Sequence, residues 1–381
     1  MRIAIFSEVY WPMVSGVSTT LTRTADALMR RGHQLRVYSA AYPLGGAADR
    51  PEVHRSAGRT FFLSPEVQWA APDQDEITAD LARFRPDVVH LATEFAMGYA
   101  GLRAARAIGA PIIASAHTDY ERYAGRYGMR WAVGAGWIYL RWFYRHAHRV
   151  LAPSASFERH LRSRGIEHTG IWTRGVDADQ FSPSFRSARY RSDLGIGPDD
   201  LLVGYVGRIA PEKGVERLLD AWESLAPRYP RSHLVFTGQG LMEPAIRRRA
   251  LPRVHLTGMK RGIDLATAYA SADVFAMPSV TETFGNVTLE AMAAGVAPVA
   301  MNAGGIGEFG VDGVNALLAD PVDPGAFRDA LDRLLGDAAL RRNLAKAART
   351  TALGRAWGPI YDQLVGSYAE AAAAGRPARA A

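Results

Sequence analysis

The 381-residue chain contains no cysteine, which excludes disulfides, thiolate metal sites and a thiol nucleophile. Lysine is almost missing as well: Lys213, Lys260 and Lys346 are the only three, so a lysine inside a motif cannot be put down to a lysine-rich surface. No apolar run reaches the ~20 residues that span a bilayer. Met1-Arg2-Ile3-Ala4-Ile5-Phe6 leads straight into a strand pattern without signal-peptide character, and the expected location is the cytoplasm. There is no Gly-x-Gly-x-x-Gly after the first strand pattern, no Walker loop, no His-Glu-x-x-His, and the ten His are scattered. Zinc-finger spacing and RNP-like runs are missing too, so no metal site and no nucleic-acid partner are expected. No repeat at solenoid period is found.

What is present suits two globular domains, with 48% hydrophobic and 22% charged residues. The formal charge of +7 lies wholly in the first half. Residues 1–190 hold 24 Lys/Arg against 17 Asp/Glu, and residues 191–381 hold 21 against 21. An anionic membrane surface is one partner that a basic half could meet. Between Arg103 and Arg149 there are eight Arg and two acids. A helix is expected over Trp131–Arg149, with Arg141, Arg145 and Arg149 on one face and Trp131, Trp137 and Trp142 beside it. It reads either as an interfacial helix, which would put the protein on the inner face of the plasma membrane, or as a core helix with a basic exposed side.

Strand and helix patterns alternate throughout, as in an α/β fold built of βαβ units. In the first half, strands are expected at Ile3–Phe6, Gln34–Ser39, Pro86–Leu91, Pro111–Ser115 and Val150–Pro153, with a helix from Ser18 to Arg31. The fourth strand runs into Ala116-His117-Thr118-Asp119, at a carboxyl end where ligands of open α/β sheets bind. Polar residues 183–200 read as a linker. A second series follows over 201–355, with strands beginning at Leu201, His233, Val254, Ala272, Ala297 and Leu317. The domains are then 1–182 and 201–355, with a helix over 356–370 and a disordered tail over 371–381.

The most informative stretch is Val280-Thr281-Glu282-Thr283-Phe284-Gly285-Asn286-Val287-Thr288-Leu289-Glu290. It joins a buried strand to a helix. Glu282 sits in the loop, Gly285 at the turn, and Glu290 about one turn into the helix. The first N–H groups of a helix lack internal partners and attract anions. Such a loop suits a ligand with hydroxyls at both ends and phosphates between, which a sugar nucleotide has. Gly207-Arg208-Ile209-Ala210-Pro211-Glu212-Lys213-Gly214 makes another strand–turn–helix and projects two cations near a helix start.

The Glu-x₇-Glu spacing and the Gly-Arg-x-x-x-x-Lys-Gly stretch resemble the donor site of retaining family 4 glycosyltransferases of GT-B architecture, and the likeness spans about residues 2 to 370. The resemblance implies two Rossmann-like doubly wound domains facing across a cleft, with the C-terminal helix returning to the first domain. It implies that Arg208 and Lys213 hold the donor diphosphate, helped by Gly16 and the N–H groups of Phe284, Gly285, Asn286 and Val287. Glu282 and His117 would meet the sugar, Glu290 the ribose, and Met259 and Lys260 the base. His117, Glu282, Arg208 and Lys213 form the expected catalytic set, while Asp119, Tyr120 and Arg174 are acceptor candidates. Arg174 stands where the family has Asn. Asp177-Ala178-Asp179 matches a metal signature of another glycosyltransferase architecture, but it follows an Arg-Gly-Val turn like the family's Asn-Gly-Val-Asp, and no metal is implied.

Within the family the chain looks like GDP-mannose-dependent α-mannosyltransferases and the related sulfoquinovosyl-diacylglycerol synthases. That implies GDP-mannose as donor, a lipid or glycolipid acceptor, and attack from the leaving group's face. The alternatives are a UDP-sugar-dependent glucosyl or sulfoquinovosyl transferase, a nucleotide-sugar epimerase of the same architecture, and a non-catalytic sugar-nucleotide or lipid-binding protein.

Overall fold

The computed structural model describes residues 1–13, 15–43, 49–61, 64–121, 128 and 130–374. They form two compact units. Unit 1 comprises Met1–Thr118, Trp131–Thr173 and the chain from Gly358; unit 2 comprises Asp119–Arg130 and Arg174–Trp357.

Unit 1 is built on a seven-stranded parallel sheet. Its strands are β1 (Arg2–Ser7), β2 (Gln34–Ala40), β3 (Val53–Ser56), β6 (Val88–Leu91), β7 (Ile112–Ser115), β8 (Arg149–Ala152) and β9 (Thr169–Ile171), in the order β3-β2-β1-β6-β7-β8-β9. A separate antiparallel pair, β4 (Gly58–Phe61) and β5 (Ser64–Ala70), accounts for the missing numbers. The central strands are buried end to end, Ile3 to Phe6 and Val88 to Leu91 alike, which is why they read as short continuous apolar runs. The edge strands β3 and β9 are only half-buried along their lengths. Without an apolar run they leave no such trace in the sequence.

Two expectations for this unit change. The first helix is Gly16–Arg30, capped by the Ser15 hydroxyl, which accepts from Ser18 N at 3.1 Å. The expected helix Trp131–Arg149 is shorter: a 3₁₀ turn, Arg130–Ala132, leads into an α-helix that ends at Tyr144. Arg149 opens β8 and pairs with Glu370 at 2.9 Å. The three arginines therefore do not share one helical face, because Arg149 and the apolar residues 150–152 belong to the sheet rather than to the helix. The basic and aromatic stretch 122–127 lies outside the described residues.

Unit 2 carries a six-stranded parallel sheet made of β10 (Leu201–Val206), β11 (Ser232–Thr237), β12 (Val254–Leu256), β13 (Val274–Met277), β14 (Ala297–Met301) and β15 (Leu317–Ala319). Their order is β12-β11-β10-β13-β14-β15. One core gathers around Trp222 and the helices Val215–Leu225 and Ala326–Gly336. The other lies around Tyr269 and Phe275, under the helices Gly262–Ala270, Asn286–Ala293 and Ala338–Leu353. Residues 183–200, expected as a linker, are folded onto this unit. A helix, Ala188–Asp193, is held there by buried Arg191, which donates to Ser271 O at 2.9 Å and pairs with Asp273 at 3.0 Å. A polar composition hid this because both terminal nitrogens of the arginine are taken up by carbonyls and a carboxylate.

The C-terminal helix, Trp357–Ala374, rejoins unit 1, with Leu364 and Tyr368 buried and Asp362 paired to Arg31 at 3.2 Å. It takes in residues 371–374, which the composition had assigned to a disordered tail; 375–381 lie outside the described residues.

Candidate active site

In each sheet the strand order reverses beside one strand, between β1 and β6 in unit 1 and between β10 and β13 in unit 2. Crossovers leave on opposite faces at such a point, and the loops at the carboxyl ends part to form a crevice. In unit 2 those loops are Gly207–Gly214 and Pro278–Gly285. They hold the residues that the sequence singled out.

A 3₁₀ turn, Pro211–Lys213, ends at Gly214, where φ is +70° and an added Cβ would lie 2.5 Å from Pro278 O. Only glycine lets the two loops approach so closely. The approach brings Lys213 Nζ to 2.6 Å from Glu282 Oε1. Arg208 Nη2 lies 2.8 Å from Glu212 Oε1, and Glu212 is fully buried. Burial pushes the Glu282 carboxyl up, but the charge and hydrogen bond of Lys213, the Ser279 hydroxyl and Arg208 outweigh it and hold it below the ordinary glutamate range. Each cation thus already carries a carboxylate, because charges taken from water need a partner. The turn after β14 supports this loop: Gly305 N donates to Glu282 O at 2.9 Å, and a Cβ on Gly304 (φ +63°) would sit 1.8 Å from the same oxygen.

The helix Asn286–Ala293 starts at Gly285 without a side-chain cap, so its first N–H groups point past the helix end. Asn286 Oδ1 is buried there without a hydrogen-bond partner among the described residues. The Phe284 ring is buried against Phe309, with centroids 5.3 Å apart. This leaves the Phe284 backbone as its part in a site. The Val287 side chain packs on the unit 2 core. Glu290 Oε2 accepts from Tyr269 Oη at 2.8 Å. Burial and the Glu290 charge raise Tyr269 well above an ordinary phenol, so it stays a donor and orients the carboxylate. Met259 is exposed and Lys260 half-buried in the loop after β12, whose Gly258 O accepts from Gly238 N at 2.9 Å.

Unit 1 presents a different chemistry at its own reversal point. Gly16 is the first residue of its helix. Glu8, directly after β1, is buried and accepts from Met97 N at 2.9 Å and from the Thr93 hydroxyl at 3.2 Å. Desolvation pushes its carboxyl up to about 7 against the pull of those donors, and the Glu94 charge adds to the rise. Glu94, after β6, is buried too and accepts from the Tyr144 hydroxyl. His117, half-buried after β7, has Nε2 2.8 Å from Ser115 Oγ. Of the acceptor candidates, Asp119 and Arg174 are buried and Tyr120 is half-buried. All three count with unit 2, while His117 counts with unit 1. Their expected place in an acceptor-side domain 1–182 is therefore not what the chain adopts.

Reading the sequence missed Glu8, Glu94, Glu212 and Tyr269. Glu8 stands directly after β1 and Glu94 in the loop after β6, where the switch-point rule would have found them once the strand order was known. Tyr269 leaves no local signal. Among the described residues no group of three or more His, Cys, Asp or Glu side chains could hold a metal ion, and no helix is long and apolar enough to cross a membrane.

Family models match both halves of the chain. One described as Glycosyltransferase Family 4 covers residues 14–180, and one described as Glycosyl transferases group 1 covers residues 200–337. A GDP-mannose-dependent alpha-mannosyltransferase of Mycobacterium tuberculosis is 38% identical over 378 residues, 97% of this chain and 96% of that protein. Sulfoquinovosyl transferase SQD2 of Arabidopsis thaliana is 36% identical over 91% of this chain and 69% of its own length. An alpha-monoglucosyldiacylglycerol synthase of Acholeplasma laidlawii is 28% identical over 77% of this chain and 78% of its own. Among solved structures, sucrose-phosphate synthase from Thermosynechococcus elongatus superposes with a TM-score of 0.82 at 21% identity, over 98% of this chain and 99% of that one, a likeness of fold.

Proposed function

The chain belongs to the GT-B glycosyltransferases of family 4, and from that premise we propose that it moves mannose from GDP-mannose to a lipid or glycolipid hydroxyl, with retention of configuration and without a metal ion. The end-to-end likeness to a GDP-mannose-dependent alpha-mannosyltransferase carries this reading. In the reaction the bond between the anomeric carbon and the β-phosphate oxygen breaks, and its electron pair leaves with the nucleoside diphosphate. The acceptor oxygen bonds to the anomeric carbon from the same face, and its proton passes to the departing phosphate oxygen. Arg208, Lys213 and the first N–H groups of the helix Asn286–Ala293 offset the negative charge with fixed donors, the role a divalent cation plays elsewhere. Glu282, held against Lys213 at 2.6 Å, offers an acceptor for sugar hydroxyls beside a donor for phosphate oxygen. Glu290, oriented by Tyr269, takes the ribose, and the loop of Met259 and Lys260 takes the base.

A lipid acceptor draws support from the diacylglycerol named in one relative and from the surface of unit 1. Trp131 is 84% and Ile138 65% exposed there. The exposed rings of Trp69, Phe95, Tyr99 and Tyr139 continue the patch, with Trp69 and Phe95 5.3 Å apart and Tyr99 6.1 Å from Trp142. Arg103, Arg106, Arg141 and Arg145 are exposed on the same helices and at their ends. Exposed aromatics with arginines suit an anionic interface, where each basic residue contributes about 1 kcal/mol within a Debye length. Four such residues give reversible attachment.

The test is transfer of labelled sugar from GDP-mannose or UDP-glucose to diacylglycerol in vesicles of neutral or mixed neutral and anionic phospholipid, with excess EDTA. Mannose should enter the organic phase, more with anionic vesicles and less as salt rises. Transfer from UDP-glucose alone would replace the donor. Loss in EDTA that Mn²⁺ restores would end the metal-free reading. Label released only as free mannose would mean that water takes the sugar and would remove diacylglycerol as the acceptor.

A further inference from the structure

A line of hydrogen bonds runs through unit 1 from the C-terminal helix to His117. Tyr368 Oη lies 2.7 Å from His90 Nδ1, His90 Nε2 lies 2.8 Å from Ser115 Oγ, and Ser115 Oγ lies 2.8 Å from His117 Nε2. Tyr368, His90 and Ser115 are buried. Trp172, also buried, meets both imidazoles edge-on at 5.6 and 5.8 Å.

The direction of this line follows from counting hydrogens. Burial raises the ionisation of Tyr368, so it is a neutral phenol with one hydrogen to place. A buried donor needs an acceptor, and His90 Nδ1 is the one in reach. A neutral His90 that accepts at Nδ1 carries its own hydrogen on Nε2. That hydrogen goes to Ser115 Oγ, and the serine hydrogen goes on to His117 Nε2. The reverse direction would leave the Tyr368 hydroxyl hydrogen without an acceptor in the core.

We propose that Tyr368, His90 and Ser115 are positioning residues that hold neutral His117 in its Nδ1–H tautomer, so that His117 serves as a hydrogen-bond donor to the substrate and not as a base. The serine hydrogen occupies Nε2, so the ring is a donor at Nδ1 toward a sugar hydroxyl or phosphate oxygen. Use in turnover rests on the reading, implied by the family resemblance, that His117 meets the sugar; the tautomer does not.

Long-range ¹H–¹⁵N correlation of the imidazole nitrogens in the full-length protein reads the tautomer directly, with a His117→Asn spectrum for assignment. His117 should show a protonated Nδ1 and an unprotonated Nε2. Ser115→Ala should release His117 to a mixture while leaving His90 protonated at Nε2; Tyr368→Phe should release both rings. Turnover in Ser115→Ala should fall about fivefold as the competent tautomer becomes the minor one. Should Tyr368→Phe fail to fold, Ser115→Ala carries the test alone. A His117 protonated at Nε2 in the unaltered protein, or unmoved by Ser115→Ala, overturns the proposal. A tautomer that shifts with turnover unchanged removes His117 from the substrate and leaves the relay standing.

Discussion

Where the strand order reverses, the two units solve the burial of polar groups in opposite ways. Unit 2 brings opposite charges together, Arg208 with Glu212 and Lys213 with Glu282, on loops nested through Gly214 and Gly304. Unit 1 holds its polar groups with neutral donors: an amide and a hydroxyl on Glu8, a phenol on Glu94, and the serine–imidazole line behind His117. A paired cation can turn to an arriving anion without first being drawn from water. Uncharged hydrogen bonds instead fix direction and tautomer, which suits hydroxyl groups. The difference in buried chemistry fits the roles proposed above, in which Arg208 and Lys213 meet the leaving diphosphate and His117 acts as a neutral donor.

The sharpest way to break the comparison is Lys213→Ala. It removes a cation proposed to stabilise the leaving group and leaves the largely buried Glu282 without its ion-pair partner at 2.6 Å. Turnover should fall by about 10²–10³-fold, and denaturant unfolding should report a loss of ~3–5 kcal/mol. Turnover within tenfold of the parent protein would mean that the diphosphate does not use this pair.

Glu8→Gln probes the neutral side. The folded-state carboxyl titrates at about 7, above its ordinary 4.5, so between those values the folded chain binds more protons than the unfolded one. Stability is then lost as pH rises through that window, by about 3 kcal/mol in all. Glutamine does not titrate, so Glu8→Gln should gain on the parent protein by that amount between pH 4.5 and 7 in unfolding titrations. Parallel pH curves for the two proteins would refute a buried, raised carboxyl.

The smallest effect separates the two glutamates of unit 2. Glu290→Ala should weaken GDP binding about tenfold, ~1.4 kcal/mol, by calorimetry. Glu282→Ala keeps Lys213 and should leave GDP binding within a few-fold while lowering turnover. Equal losses of GDP binding would mean that both carboxylates serve the nucleotide.

The amino-acid pattern by itself determined the alternating α/β order, most central strands to within two residues, and the stretches that line the unit 2 reversal point. Parallel strands covered on both faces must be apolar throughout, and an anion site beside a helix start needs glycine and cations at set spacings, so both leave local traces. Tertiary structure alone decided the rest. It ended the helix at Tyr144 and sent Arg149 into β8, because the same apolar run can serve a helix or a strand. It folded 183–200 onto unit 2 through Arg191, gave Asp119, Tyr120 and Arg174 to that unit, and paired Lys213 with Glu282 across 69 residues. The link from Tyr368 to His90 spans 278 residues. Partners so far apart in the chain carry no periodicity, and only packing brings them within hydrogen-bond reach.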